Sequence, residues 1–139
     1  MLIPKKVKHR KWQKGRSLKR KVETRGIELN YGPYGLKALS AAWLTPNQIE
    51  SARRTITSAM KKRGRLWIRI FPDKPITKRP PETTMGGGKG SVDHYVVPVR
   101  PGRILFEVDG VAGDVAKGAL KAASYKLPVK TKVVSREYP

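Results

Sequence analysis

Three groupings in this 139-residue chain have the residue types that catalysis or ligand binding needs. His94 follows Asp93, which resembles half of an acid–base pair. Neighbours in a strand point to opposite faces, so this pair is not expected to bond side chain to side chain. Glu107 and Asp109 share one strand face, where a carboxylate dyad or a metal site could form, but Asp109 also heads an Asp109-Gly110 turn. The run Met85-Gly86-Gly87-Gly88-Lys89-Gly90-Ser91 invites a phosphate-loop reading. A Walker loop needs G-x-x-x-x-G-K-[ST]; here Gly90 follows Lys89, and Thr83 stands where the first glycine belongs. It reads instead as a flexible hairpin tip, or as bare backbone that approaches RNA closely with Lys89 on a phosphate. There are no cysteines, which excludes disulfides, thiolate metal sites and cysteine catalysis. Nothing supplies a convincing nucleophile-plus-base constellation. No enzyme activity, cofactor, metal or small-molecule substrate is expected.

The chemistry that the composition does support is phosphate binding. The chain carries 31 Lys and Arg against 10 acids, a formal +21. The first 25 residues hold eleven of those cations and one acid, Glu23. Val7, Trp12, Leu18 and Val22 are too sparse there to bury a face, so the segment cannot offset its own conformational entropy. It should become ordered against dense negative charge, and each phosphate it neutralises releases a condensed counterion. The remaining residues are also basic, at a formal +11, so the folded body should have a basic face too. Trp12, among Arg10, Lys11 and Lys14, is placed to stack on a base, and His9 to stack or hydrogen-bond. Trp43 and Trp67 lie in apolar runs and read as core or half-buried. For Tyr31 and Tyr34, packing and RNA roles stay open. No apolar run approaches the ~20 residues of a membrane span, and no secretory signal opens the chain. A transit peptide and a polybasic membrane anchor rank below nucleic acid. A DNA-packaging protein and an RNA-processing enzyme remain the rivals.

The elements that position these groups form one domain over residues 26–139, behind an extended basic arm over 1–25. Residues 27–31 have short β character, and residues 36–44 could be strand or helix. Thr45-Pro46-Asn47-Gln48 is a helix start with a capping box. Ile49, Ala52, Ile56, Ala59 and Met60 follow at helical spacing, and the lysines of the last turn, Lys61 and Lys62, suit the helix dipole before Gly64 ends it. Residues 65–71 alternate as a strand. Prolines 72, 75, 80 and 81 then break the chain into short extended pieces. Residues 94–99 and 104–108 read as a hairpin around an Arg100-Pro101-Gly102-Arg103 type II turn, with Pro98 at an edge or bulge. Asp114 is placed to cap a second helix that buries Val115, Ala119, Leu120, Ala122 and Ala123. A strand over 129–134 closes the domain. The order β-α-β-β-β-α-β defines an α+β fold with a mixed, mostly antiparallel sheet and two packed helices.

Met1 to Lys11 resembles the opening of the bacterial large-subunit ribosomal protein L-sixteen family. So do Gly35-Leu36-Lys37-Ala38, Gln48-Ile49-Glu50 and Ala52-Arg53-Arg54. The most specific stretch runs from Trp67 through Phe71-Pro72-Asp73-Lys74-Pro75-Ile76 to Lys78, and Met85-Gly86, Pro101-Gly102, Phe106-Glu107 and Lys126-Leu127-Pro128 follow in register. The resemblance covers essentially the whole chain. It implies a hammerhead-like α/β sandwich that is a structural constituent of the large ribosomal subunit. It also implies binding to 23S-type rRNA near the peptidyl-transferase region, contact with A-site tRNA and, as a second contact, P-site tRNA, and a role in late subunit assembly. Neighbouring ribosomal proteins are implied as partners, in a cytoplasmic, bacterial setting with an organelle-encoded source left open. Carried over to this chain, rRNA contacts fall on Lys5, Lys6, Lys8, His9, Arg10, Lys11, Trp12, Lys14, Arg16, Arg53, Arg54, Lys61 and Lys62; the segment 18–22 is more basic than the family pattern, and Lys19, Arg20 and Lys21 are expected to add rRNA contacts of their own. The tRNA-facing loop, 78–91, holds Lys78, Arg79, Thr84, Met85, Gly86, Gly87, Gly88, Lys89 and Gly90. Thr84 departs from the family's common arginine, and Gly87 from a commonly polar or basic residue, so this loop has less charge than the family pattern.

Overall fold

The computed structural model describes residues 2–6, 22–78 and 91–136. Helix α1 spans Pro46–Ala59 and starts as its capping box requires. Thr45 Oγ1 accepts the Gln48 N–H at 3.3 Å, and Gln48 Oε1 accepts the Thr45 N–H at 3.0 Å. Pro46, in the first turn, lacks an N–H that would have no helical partner there. Ile49, Ala52 and Ile56 form the buried stripe. The helix stops well before Gly64. Lys61 (φ 54°) and Lys62 (φ 61°) are both left-handed, so no lysine lies in the last turn and the two project from the turn beyond it.

Helix α2 spans Gly113–Ser124. Its N-cap is Ala112, with no side-chain cap, and Asp114 sits inside the first turn, where its charge suits the positive end of the dipole. The buried stripe is Ala116, Ala119, Leu120 and Ala123, whereas Val115 is exposed. The buried stripe therefore differs from the expected one at two positions, with Ala116 buried in place of Val115 and Ala122 only half-buried.

The strands are β1 Tyr34–Ala38, β2 Ala42–Leu44, β3 Arg65–Ile68, β4 Lys74–Lys78, β5 Ser91–Val99, β6 Ile104–Asp109 and β7 Thr131–Ser135. They form a four-stranded sheet in the order β3-β6-β1-β7 and a three-stranded sheet in the order β2-β5-β4. Every pairing is antiparallel. The result is the α+β fold expected, with the ambiguous 36–44 segment resolved into two strands and one further strand, β4, in the proline-rich stretch. Pro75 is tolerated in β4 because β4 pairs with β5 alone and lies at an edge. Pro98 fits for a similar reason: the β4 register ends at Val96, leaving only Trp43 of β2 opposite Pro98.

Two sequence expectations are corrected here. Residues 27–31 are irregular, not a strand. The 100–103 turn forms, with Gly102 at φ 103° and the Arg103 N–H on the Arg100 carbonyl at 3.2 Å, but it joins no hairpin. It carries the chain from β5 in one sheet to β6 in the other. The core lies between the helices and the sheets: Leu36, Leu44, Ile49, Ile56, Phe106, Val108 and Leu120 are fully buried. α1 and α2 pack together, and α2 lies on β1. Strand β6 is buried from Ile104 to Val108, as suits a central strand covered on both faces.

Candidate nucleic-acid interface

The end of the arm is pinned to the body. Arg103 donates from Nη1 to the Arg25 carbonyl at 3.4 Å and from Nη2 to the Arg69 carbonyl at 3.2 Å, and it lies 4.0 Å from the Glu23 carboxylate. The Glu23 N–H reaches the Pro101 carbonyl at 2.9 Å. Lys5 and Lys6 are exposed. Lys8, His9, Arg10, Lys11, Trp12, Lys14, Arg16, Lys19, Arg20 and Lys21 lie outside the described residues. So do Arg79, Thr84, Met85, Gly86, Gly87, Gly88, Lys89 and Gly90; Lys78 ends β4.

The two helix-borne arginines are not equivalent. Both bond Glu50: Arg53 Nε donates to Oε2 at 3.0 Å, and Arg54 Nε to Oε1 at 3.2 Å. The hydrogen bond from Arg53, helped by Arg54, holds the Glu50 carboxyl down at about 2 and raises Arg53 in turn. The Arg54 side chain is 75% exposed against 37% for Arg53, so Arg54 is the freer to meet a phosphate.

Lys61, Lys62 and Arg63 are exposed on the turn after α1, and Arg65 is exposed at the start of β3. Gly64, at φ 74°, lies against the Asp109 carbonyl and the Gly110 backbone, where any Cβ would collide. That contact pins the turn to the end of β6, so four cations project from a fixed base. Arg63 and Arg65 escaped the sequence reading, although the unbroken Lys61-Lys62-Arg63 run was a visible signal.

The carboxylates and histidine that suggested catalysis are otherwise engaged. Glu107 is fully buried, and its Oε1 accepts the N–H groups of Asn30 and Tyr31 at 2.9 Å and of Gly32 at 3.1 Å. Its Oε2 pairs with Arg69, whose Nη1 also donates to the Glu28 carbonyl. Burial alone would raise this carboxyl; the Tyr31 N–H, the Arg69 guanidinium and the Gly32 N–H outweigh it and hold the group below the usual range. Asp109 is exposed and bonds the Gly110 N–H at 2.7 Å, so the two form no dyad. Contrary to the strand-alternation expectation, His94 Nδ1 does meet Asp93 Oδ2, at 2.7 Å, with both side chains over 40% exposed. No group of three or more His, Cys, Asp or Glu that could hold a metal is present among the described residues. No helix there is long and apolar enough to cross a membrane.

Tyr31 stacks on Trp67 with ring centroids 5.8 Å apart, and the Arg69 guanidinium lies 5.1 Å from the Tyr31 centroid. Trp43 is half-buried, with Lys74 Nζ 4.6 Å from its ring centroid. Tyr34 is half-buried beneath Lys117, 6.0 Å away.

A chain of charge +21, whose α+β body fixes cations on a helix and a pinned turn and commits its buried acid to structure, has the character of a structural RNA-binding protein. Residues 4–134 match the family model described as Ribosomal protein L16p/L10e, and the chain belongs to that family. It is accordingly a structural, non-enzymatic type of ribosomal protein: an rRNA-binding component of the large subunit that serves translation, with rRNA and other ribosomal proteins as partners. The resemblance drawn from the residues is borne out over nearly the whole chain.

Proposed function

We propose that this protein binds 23S-type rRNA of a bacterial large subunit, contacts A-site tRNA with P-site tRNA as a second contact, and joins late in assembly. The match over residues 4–134 carries this reading, and the charge distribution supports it. The arm, residues 1–25, lies along rRNA through the cations from Lys5 to Lys21. Arg54, Lys61 and Lys62 add phosphate contacts from the 26–139 domain. The 78–91 loop faces tRNA; with Thr84 and Gly87 uncharged, Lys78, Arg79 and Lys89 are its cations.

Affinity comes from phosphate contacts and specificity from the shape of folded rRNA. If six to ten phosphates are neutralised, affinity drops by about 10³–10⁵ between 50 and 200 mM salt. The test is sedimentation of a lysate followed by RNA crosslinking from residues 5–21 and 78–91. A stoichiometric peak with large subunits, arm crosslinks to large-subunit rRNA and loop crosslinks to tRNA are expected. Sedimentation on DNA, or rRNA affinity that ignores salt, overturns the reading.

A further inference from the structure

Phosphate contacts alone leave unexplained the aromatic surface on β3. Arg65 and Trp67 are alternate residues of β3 and share one face, and Arg69 follows just beyond the end of the strand. Tyr31 lies on Trp67 with the ring planes 20° from parallel, and the Arg69 guanidinium lies over the same ring, 5.1 Å from its centroid. Tyr31 nevertheless remains 56% exposed. A hollow of about 580 Å³, lined by Tyr31, Leu66, Trp67, Ile68 and Arg69, opens beside it.

The ring is held in place before any partner arrives. Glu107 grips the N–H groups of Asn30, Tyr31 and Gly32 and pairs with Arg69, so one buried carboxylate positions both the loop and the guanidinium. Arg136 ties the same segment further, its Nη2 donating to the Leu29 carbonyl at 3.0 Å. Such pre-ordering lowers the entropic cost of binding. Arg65 stands opposite Asp109 in the β3–β6 register, but Asp109 directs its carboxylate to the Gly110 N–H.

We infer that the exposed part of Tyr31, backed by Trp67 and with Arg69 over its ring, is a stacking seat for one unpaired base of rRNA, with Arg65 on the adjoining phosphate. The seat rests on the rRNA-binding reading and deepens it. Arginines border the aromatic pair on a +21 chain, which favours a polyanion over an apolar peptide. The exposed element is the aromatic itself, and unpaired RNA bases are held by stacking on such rings.

The test measures binding of the full chain to a large-subunit rRNA transcript over a range of salt. Tyr31→Ala should weaken binding between about 5- and 150-fold and leave the salt slope unchanged, since the ring neutralises no phosphate. Tyr31→Leu, which still covers Trp67, should lose affinity likewise, whereas Tyr31→Phe should stay within twofold. Arg65→Ala should weaken binding and reduce the salt slope by about 1. Ultraviolet crosslinks from Tyr31 in assembled subunits should fall on an unpaired nucleotide. Parental affinity in a folded Tyr31→Leu protein, or Tyr31 crosslinks to a neighbouring protein, overturns the seat while leaving the rRNA reading intact. A parent chain with no salt-dependent rRNA binding overturns both.

Discussion

Arg69 and Glu107 form an ion pair in which the carboxylate side chain is fully buried and the arginine side chain is 15% exposed. Arg69 lies two residues beyond Trp67, the residue opposite Glu107 in the β3–β6 register. The pair therefore fastens the edge strand of the four-stranded sheet to its neighbour, while the second carboxylate oxygen fastens the 30–32 loop. Removing one partner of a buried pair costs about 3–5 kcal/mol, because the other is left without its counter-charge. Glu107→Ala should fall in that range, as it also strands three N–H donors. Glu107→Gln should cost less, since an amide oxygen still accepts from the loop. Urea unfolding should show lower midpoints at an unchanged m-value.

The same carboxylate sets an acid limit. Its folded pKa lies below the ordinary 4.5, so between those two values the unfolded chain binds more protons than the folded one. Stability is fully present above about pH 4.5 and falls as pH drops through the folded value. Glu50, at about 2, acts in the same direction over that interval, though its contribution is screened by solvent. Stability measured from pH 6 down to 2 should decline below about 4.5. In Glu107→Gln the decline should be shallower, and a profile identical to that of the parent would refute the assignment.

Why the sequence announced some of this and not the rest is itself physical. Thr45, Pro46 and Gln48 act within four residues of one another, so the start of α1 was legible. The Pro101-Gly102 turn was legible too, but not which sheet would receive the strand after it, because that depends on β1 and β3, far away in the chain. Glu107 read as one of a possible carboxylate pair because its partners are remote: Asn30, Tyr31 and Gly32 lie 75–77 residues away and Arg69 lies 38. Tyr31 could not be assigned from sequence for the same reason. The cations of the arm, with Lys61 and Lys62, were legible because charge density needs no tertiary partner to be noticed.

Thr45→Ala tests how far α1 depends on its cap. Both reciprocal bonds of the capping box pass through Thr45, and only the one to its backbone N–H survives the substitution. A loss of about 1 kcal/mol is expected. Thr45→Ser keeps the hydroxyl acceptor and should recover most of the difference in a thermal melt. rRNA affinity should be unchanged in both, since the cap lies at the opposite end of the helix from Lys61 and Lys62.

The two left-handed lysines make stability and affinity move in opposite directions. A side chain in this conformation costs about 1–2 kcal/mol per residue, and glycine does not carry that cost. Lys61→Gly or Lys62→Gly should therefore stabilise the folded protein by up to about 1 kcal/mol, because glycine's greater freedom in the unfolded chain offsets part of the gain. Each should also remove one phosphate contact, weakening rRNA binding and reducing the salt slope by about 1. Lys62→Met separates the two effects, since it retains the strained backbone and a long side chain but loses the charge. It should bind as weakly as the glycine variant without the gain in melting temperature. If the glycine variants are more stable yet bind rRNA with parental affinity and slope, the turn is a structural corner and not a contact with rRNA.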